Sequence, residues 1–182
     1  MTGTTLMALG LVLLVLAAAI FKRRPGKRAA WLQREAMPKE LQTARLIASE
    51  KHFRCEHPVA LSGTPDQVYQ LADGCVVLVD TKRRQRPAVY DADIAQLSIY
   101  RVLLAHQKRF GPHPFADWGY IRLASPSGVT YKRVQLWTTD QVIDLHRRYW
   151  QLREGHATPM GTRFKGLCRL CGHRKRCGQA RA

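Results

Sequence analysis

The sequence predicts an α/β domain, a sheet covered by helices, set between an apolar N-terminal segment and a cysteine-rich C-terminal tail. Three observations predict it. The hydrophobic period changes along the chain from helical to alternating and back. Branched residues gather in five short runs bounded by turn residues. Those runs interleave with helical stretches in the order helix, three strands, helix, two strands, helix. With 182 residues the chain can hold one domain of ordinary size and its core.

The elements follow in order. Met1 to Phe21 carries no charge, and Leu6 to Phe21 is almost continuously apolar, about the length a helix needs to span a bilayer. A cleaved leader would begin with a basic segment, and a buried core helix is the other alternative. Lys22, Arg23, Arg24, Lys27 and Arg28 follow at once, which keeps that end in the cytoplasm. The expected organisation is an anchor over 1–21, a basic linker over 22–37, a domain over 38–155 and a tail over 156–182. Pro38 to Lys51 reads as a helix with Leu41, Ala44, Leu46, Ile47 and Ala48 on a partial apolar face. Phe53 to Leu61, Gln67 to Leu71 and Val76 to Lys82 read as strands. Asp91 to Phe110 reads as a helix capped by Asp91 or Asp93. Trp118 to Ala124 and Thr130 to Trp137 are two strands around the turn Ser125-Pro-Ser-Gly128, and a helix runs from Thr139 to about Glu154.

Charge narrows the partners. Thirty Lys and Arg stand against thirteen Asp and Glu, a net charge of +17, and such a surplus attracts polyanions: nucleic acid or an anionic membrane. The odd count of five cysteines argues against a disulfide framework and for a metal site in a reducing compartment.

The chemistry concentrates in Gly63-Thr-Pro-Asp66 and Val79-Asp80-Thr81-Lys82. Residues two apart on a strand share a face, so Asp80 and Lys82 point the same way. Leu71-Ala72-Asp73-Gly74-Cys75 suits a three-residue loop closed by Gly74 in the left-handed region. That loop pairs Leu71 with Cys75 and, counting back, Asp66 with Asp80; a two-residue loop would place Asp66 opposite Thr81, on the wrong face. Two facing carboxylates repel unless a cation neutralises them, and Mg²⁺ or Mn²⁺ takes one or two such oxygens alongside water and phosphate. Lys82 is placed to orient a nucleophile or offset developing charge. The bland alternative is a turn aspartate and a solvated strand end.

Gly63 and Asp66, then Asp80 and Lys82, then Gln96 and Tyr100 on one helix face form an order that resembles the RecB-like PD-(D/E)XK nucleases, including the CRISPR-associated RecB-type exonucleases. The resemblance spans about residues 38 to 177. It implies a restriction-endonuclease-like mixed sheet flanked by helices, with Asp66 and Asp80 as metal ligands, Lys82 as catalytic lysine, and Gln96 and Tyr100 beside the site and the DNA. Asp80 stands where the nearest relatives usually carry Glu. Many members add an acidic residue or histidine on the first helix, for which Glu40 and Glu50 are the candidates. Arg83, Arg84 and Arg86 could grip phosphates, or form a solvated basic turn.

Cys168-Arg-Leu-Cys171 with Cys177 is a spacing that can clamp a metal. The resemblance implies a [4Fe-4S] cluster held by these three and a distant cysteine; Cys55 is the first candidate, His173 a substitute favouring Zn²⁺, and Cys75 a third choice. His52, His57, His106, His113, His146 and His156 read as structural or exposed, and Tyr100, Trp118, Trp137 and Trp150 as core. The expectation is an inner-membrane, single-pass, Mg²⁺- or Mn²⁺-dependent DNA nuclease with a cytoplasmic catalytic domain, working in a membrane DNA-transfer or defence complex. The alternatives are an inactive nuclease fold that binds nucleic acid or a membrane-complex partner, and a basic protein serving anionic lipid.

Overall fold

The structure, a computed structural model, describes residue 31, residues 35–162 and residues 165–179. It divides into two compact units, one ending at Trp137 and one beginning at Thr138.

The first unit is built on a five-stranded mixed sheet. A short helix α1 (Lys39–Gln42) leads into β1 (Arg45–Ser49), a small hairpin β2 (Phe53–Cys55) and β3 (Leu61–Gly63), then β4 (Gln67–Gln70) and β5 (Val76–Arg83). Helix α2 (Asp91–Ala105) crosses over to β6 (Trp118–Ser125), which turns into β7 (Gly128–Gln135). The strand order is β1-β4-β5-β6-β7, with β5 and β6 parallel and every other neighbouring pair antiparallel. The β2–β3 hairpin forms its own two-stranded sheet.

Period-two alternation along β5 divides the core. Val76 and Leu78 join Val68, Ile121 and Leu123 under Leu97, Leu103 and Leu104 of α2. Val77 and Val79 face the other way, against Tyr69, Tyr120, Met37 and Leu41. A central strand buried on both faces reads as a continuous apolar run, and this one is apolar from Val76 to Val79 before it meets Asp80. On the second face Glu35 accepts from Arg122 and from the Tyr131 hydroxyl, and Glu40 accepts from the Tyr120 hydroxyl. Glu35 is therefore part of the packed domain, although the sequence places it in the linker.

The second unit holds α3 (Thr139–Arg153), α4 (Lys165–Leu170) and a 3₁₀ turn (Arg174–Arg176). Thr138 caps α3 by accepting from the backbone N–H of Gln141, while the Gln141 side chain accepts from the Thr138 N–H.

Four sequence expectations are corrected. The helix expected over Pro38–Lys51 is α1 followed by the edge strand β1, because the Leu46-Ile47-Ala48 run satisfies either period and pairing with β4 decides it. The single strand expected over Phe53–Leu61 is broken into a hairpin around Pro58, which has no N–H for a ladder. Trp150, expected in the core, is exposed. The transmembrane anchor, Met1 to Phe21, lies outside the described residues, and among the described residues no helix is long and apolar enough to cross a membrane. The described residues therefore give the single-pass inner-membrane placement no spanning helix, and what they form is a mixed α/β fold.

Candidate active site

The hairpin between β4 and β5 has the register of a three-residue loop. Gln70 pairs with Val76 and Gln67 with Val79, while the Leu71 N–H donates to the Cys75 carbonyl at 2.8 Å. Gly74 sits at φ +86°, where a side chain would be strained, and the Asp73 carboxylate accepts from the Cys75 N–H at 2.9 Å. Continuing this register one residue past its last pair brings Asp66 to Asp80, which by alternation shares the face of Val76 and Leu78 under α2.

Asp80 is 1 % exposed. Burial pushes its carboxyl above the usual range, and the neighbouring charges of Asp66 and Asp93 add to this, while Lys82 opposes it. Its Oδ2 has the Lys82 ammonium 2.8 Å away but no hydrogen bond of acceptable geometry. Asp66 accepts from the Thr81 N–H at 2.7 Å, which locks it to the strand carrying Asp80.

Lys82 also donates to Gln96 Oε1 at 2.7 Å, and Gln96 Nε2 donates to the Tyr100 hydroxyl at 3.0 Å. A run of polar contacts thus passes from Asp80 through Lys82 and Gln96 to Tyr100. Tyr100 is seated on Gly63, where a Cβ would stand 2.5 Å from the ring Cε1, so a side chain at 63 would displace the tyrosine. The Gly63–Asp66 segment and the Gln96–Tyr100 helix face are therefore parts of one packing arrangement.

The donor set fits a hard divalent cation. Two carboxylates, one with a buried oxygen lacking a hydrogen bond, are the protein ligands Mg²⁺ or Mn²⁺ ordinarily takes.

The three arginines differ in placement. Arg83 and Arg86 are exposed. Arg84 is bound in a two-pronged pair to Asp93, both bonds 2.7 Å, and stacks on Tyr90 with its guanidinium 4.6 Å from the ring centre. Asp93 also accepts from the Tyr90 N–H at 2.9 Å, so it closes the start of α2 from three residues inside while Tyr90 is the N-cap. Burial alone would raise the Asp93 carboxyl, but the hydrogen bonds from Arg84 and Tyr90 outweigh it and hold the carboxyl below its usual range. The sequence read Arg84 and Asp93 separately; nothing local announces their pairing.

Of the two acids offered for the first helix, Glu40 lies on the opposite face of the sheet from Asp80. Glu50 is exposed at φ +47°, with its N–H donating to the carbonyls of Pro65 and Asp66, so its backbone adjoins the site.

The metal-binding cysteine tail is corrected. Among the described residues no group of three or more His, Cys, Asp or Glu is arranged to hold a metal ion, and all five cysteines are free. Cys168, Cys171 and Cys177 line one cavity together with His173, but Cys168 is buried whereas Cys171 and Cys177 are exposed, and they do not converge as a ligand set. Cys55 belongs to the first unit; its thiol faces the Val59 carbonyl at 3.8 Å, and burial raises its pKa, which disfavours the thiolate a metal needs. Among the described residues neither an iron–sulfur nor a zinc site is evident.

A mixed sheet with a crossover helix over a carboxylate pair and a lysine defines a nuclease-type α/β fold. The sequence matches the family model described as the PD-(D/E)XK nuclease superfamily over residues 15–178, and the chain belongs to that superfamily. Among solved structures, one it resembles is the crystal structure of SSO0001, at 16 % identity and a TM-score of 0.48, covering 74 % of this chain and 61 % of that one. The chain thus spans less than two thirds of that structure's length. A search of curated proteins finds no match.

Proposed function

We propose that this protein hydrolyses phosphodiester bonds in DNA in a Mg²⁺- or Mn²⁺-dependent reaction, as a RecB-like, exonuclease-type member of its superfamily. The observation that carries this reading is the placement of Asp66 beside Asp80 with Lys82 tied to Gln96 on the same face. Asp66 and Asp80 are the residues that would hold the ion. Bound there, the ion would supply charge stabilisation at the scissile phosphate and a more acidic water. Gln96 restrains the Lys82 ammonium so that it can orient an attacking oxygen or offset charge on the phosphate. Tyr100 holds Gln96, and Gly63 leaves room for Tyr100. Arg83 and Arg86 are exposed past the end of the Asp80-x-Lys82 segment, where they can contact backbone phosphates. Arg84 keeps the strand end joined to α2 through Asp93.

The test is cleavage of end-labelled single- and double-stranded DNA by the full chain with Mg²⁺, Mn²⁺ or EDTA, beside Asp80→Ala and Lys82→Ala. Metal-dependent cutting absent from both variants is the expected result. Folded protein that binds DNA and cuts it with neither metal would replace the enzyme with a nucleic-acid-binding module.

A further inference from the structure

A groove of about 250 Å³ opens at the end of β4 remote from Asp66, lined by Arg45, Ile47, Gln70, Arg109 and His113 with Leu46 and Phe110. Its lining carries two guanidiniums and an imidazole and no carboxylate. Both cations are held by neutral acceptors: Arg45 donates to Gln70 Oε1 at 2.6 Å and Arg109 to the Ile47 carbonyl at 2.7 Å. Among the described residues neither is ion-paired, so each keeps its full charge and its remaining N–H groups.

The backbone builds this arrangement. Leu46 pairs with Tyr69 and Ala48 with Val68, which leaves Ile47 as the extra residue of a β-bulge. Its carbonyl is the one that takes Arg109. Arg45 lies directly opposite Gln70 in the ladder. Because the Gln70 oxygen accepts from Arg45, its amide nitrogen is the group that meets His113 Nδ1, at 3.1 Å. Neutral His113 therefore carries its proton on Nε2, a further donor.

A concave, carboxylate-free surface of fixed guanidinium donors suits an oxyanion, phosphate above all. Its position gives that phosphate a context. Gln70 ends β4 and Asp66 immediately precedes its first residue, four residues away, a separation of about 13 Å for an extended chain. A duplex strand advances about 3.4 Å per nucleotide along the helix axis, so the groove stands about four nucleotides from a phosphate at the carboxylate pair.

We propose that this groove is a second phosphate-binding site for the substrate strand, in which Arg45 and Arg109, with His113, hold one backbone phosphate remote from the bond that is cut. The naming of the ligand as a polynucleotide rests on the nuclease reading above.

The experiment uses the full chain carrying Asp80→Asn, so that DNA is not consumed, and measures binding of a fluorescent oligonucleotide across a salt series. Added singly, Arg45→Gln and Arg109→Gln are each expected to weaken binding irrespective of sequence and to lower the log–log salt slope by about one. Arg109→Lys should preserve the slope while weakening affinity, because it keeps the charge and loses the fork. Both arginines are exposed, and matching thermal unfolding checks that the variants fold. Unchanged slope and affinity in both Gln variants overturn the proposal. So does a site that binds inorganic phosphate, followed by the His113 ring resonances, while the same variants leave DNA binding untouched. Cleavage by the unmodified chain separates the two readings. Reduced slopes without any cutting would retain the groove and discard the nuclease; cutting with unchanged slopes would do the reverse.

Discussion

Asp80 places a carboxyl group at the end of an apolar strand, 1 % exposed and beside two other aspartates. Burial raises its pKa in the folded state above the ordinary value near 3.8, so the folded chain binds the proton more tightly than the unfolded chain. The stability this represents is fully present below the unfolded pKa and is lost as pH rises through the folded one. Asp80→Asn removes the titration. In EDTA the variant is expected to unfold at the same temperature as the unmodified protein or higher near neutral pH, with its relative advantage shrinking towards about pH 4. Melting curves at the two pH values check this; an Asn variant equally destabilised at both would mean the carboxylate serves as a structural acceptor. A divalent cation should reverse the order. At one hundred times its dissociation constant a ligand adds about 2.7 kcal/mol, so Mg²⁺ or Mn²⁺ should raise the melting temperature of the unmodified chain and leave Asp80→Asn unmoved. The residues of this pair were legible in sequence because their adjacency depends on one short turn and on strict alternation. The orphaned oxygen was not, since burial is set by α2 and β6.

Two elements meet at the site through contacts that can be broken one at a time. Gly63→Ala would drive a methyl group into the Tyr100 ring, and forcing a group into a packed contact costs about 1–3 kcal/mol. The expected result is a lower melting temperature together with slower cleavage, because Tyr100 positions Gln96 and Gln96 positions Lys82. Tyr100→Phe keeps the ring and removes only the hydroxyl, so it should cost rate and little stability; loss of both in equal measure would assign Tyr100 to packing alone. The Arg84–Asp93 pair ties the end of β5 to the start of α2. Asp93→Ala leaves a half-buried guanidinium without its partner, a loss of about 3 kcal/mol by analogy with broken buried pairs. The Asp93 carboxyl lies below its ordinary pKa, so its contribution is present above the unfolded value and is lost as pH falls through the folded one. Acid unfolding of Asp93→Ala should lack that component. Helices α2 and α3 and strands β4 to β7 were readable because each has a sustained period and a turn or cap at its end. β1 was not: Arg45 to Ser49 has no pattern of its own, and the outer edge of β4 makes it a strand.

For the whole molecule, charge reports on partners and says little of fold. The surplus of +17 could serve DNA, an anionic lipid surface or solubility alone, and these differ in what salt does to them. The exposed cations lie at several places in the chain, including Arg83 and Arg86 after β5 and Arg169, Arg174, Lys175 and Arg176 in the second unit. The cysteine spacing in that unit suggested a ligand cluster; Cys168, Cys171 and Cys177 do line one cavity, but spacing fixes only how near thiols can come, and among the described residues no three such groups are arranged to hold an ion. The arginines beside them carry their charge whichever way the thiols face. A protein that covers a strand with such a surface displaces counterions from each phosphate it meets. The full chain with Asp80→Asn, in EDTA, is therefore expected to bind oligonucleotides of unrelated sequence with similar affinity. For six to ten phosphate contacts, affinity should fall by about 10³–10⁵ between about 50 and 200 mM salt. Vesicles rich in anionic lipid, assayed at the same salt steps, provide the comparison. Steep salt dependence with DNA and weak binding to vesicles assigns the surplus to a nucleic-acid surface. Vesicle binding that outlasts DNA binding as salt rises would assign it to lipid and leave the carboxylate pair without a substrate drawn to it by charge.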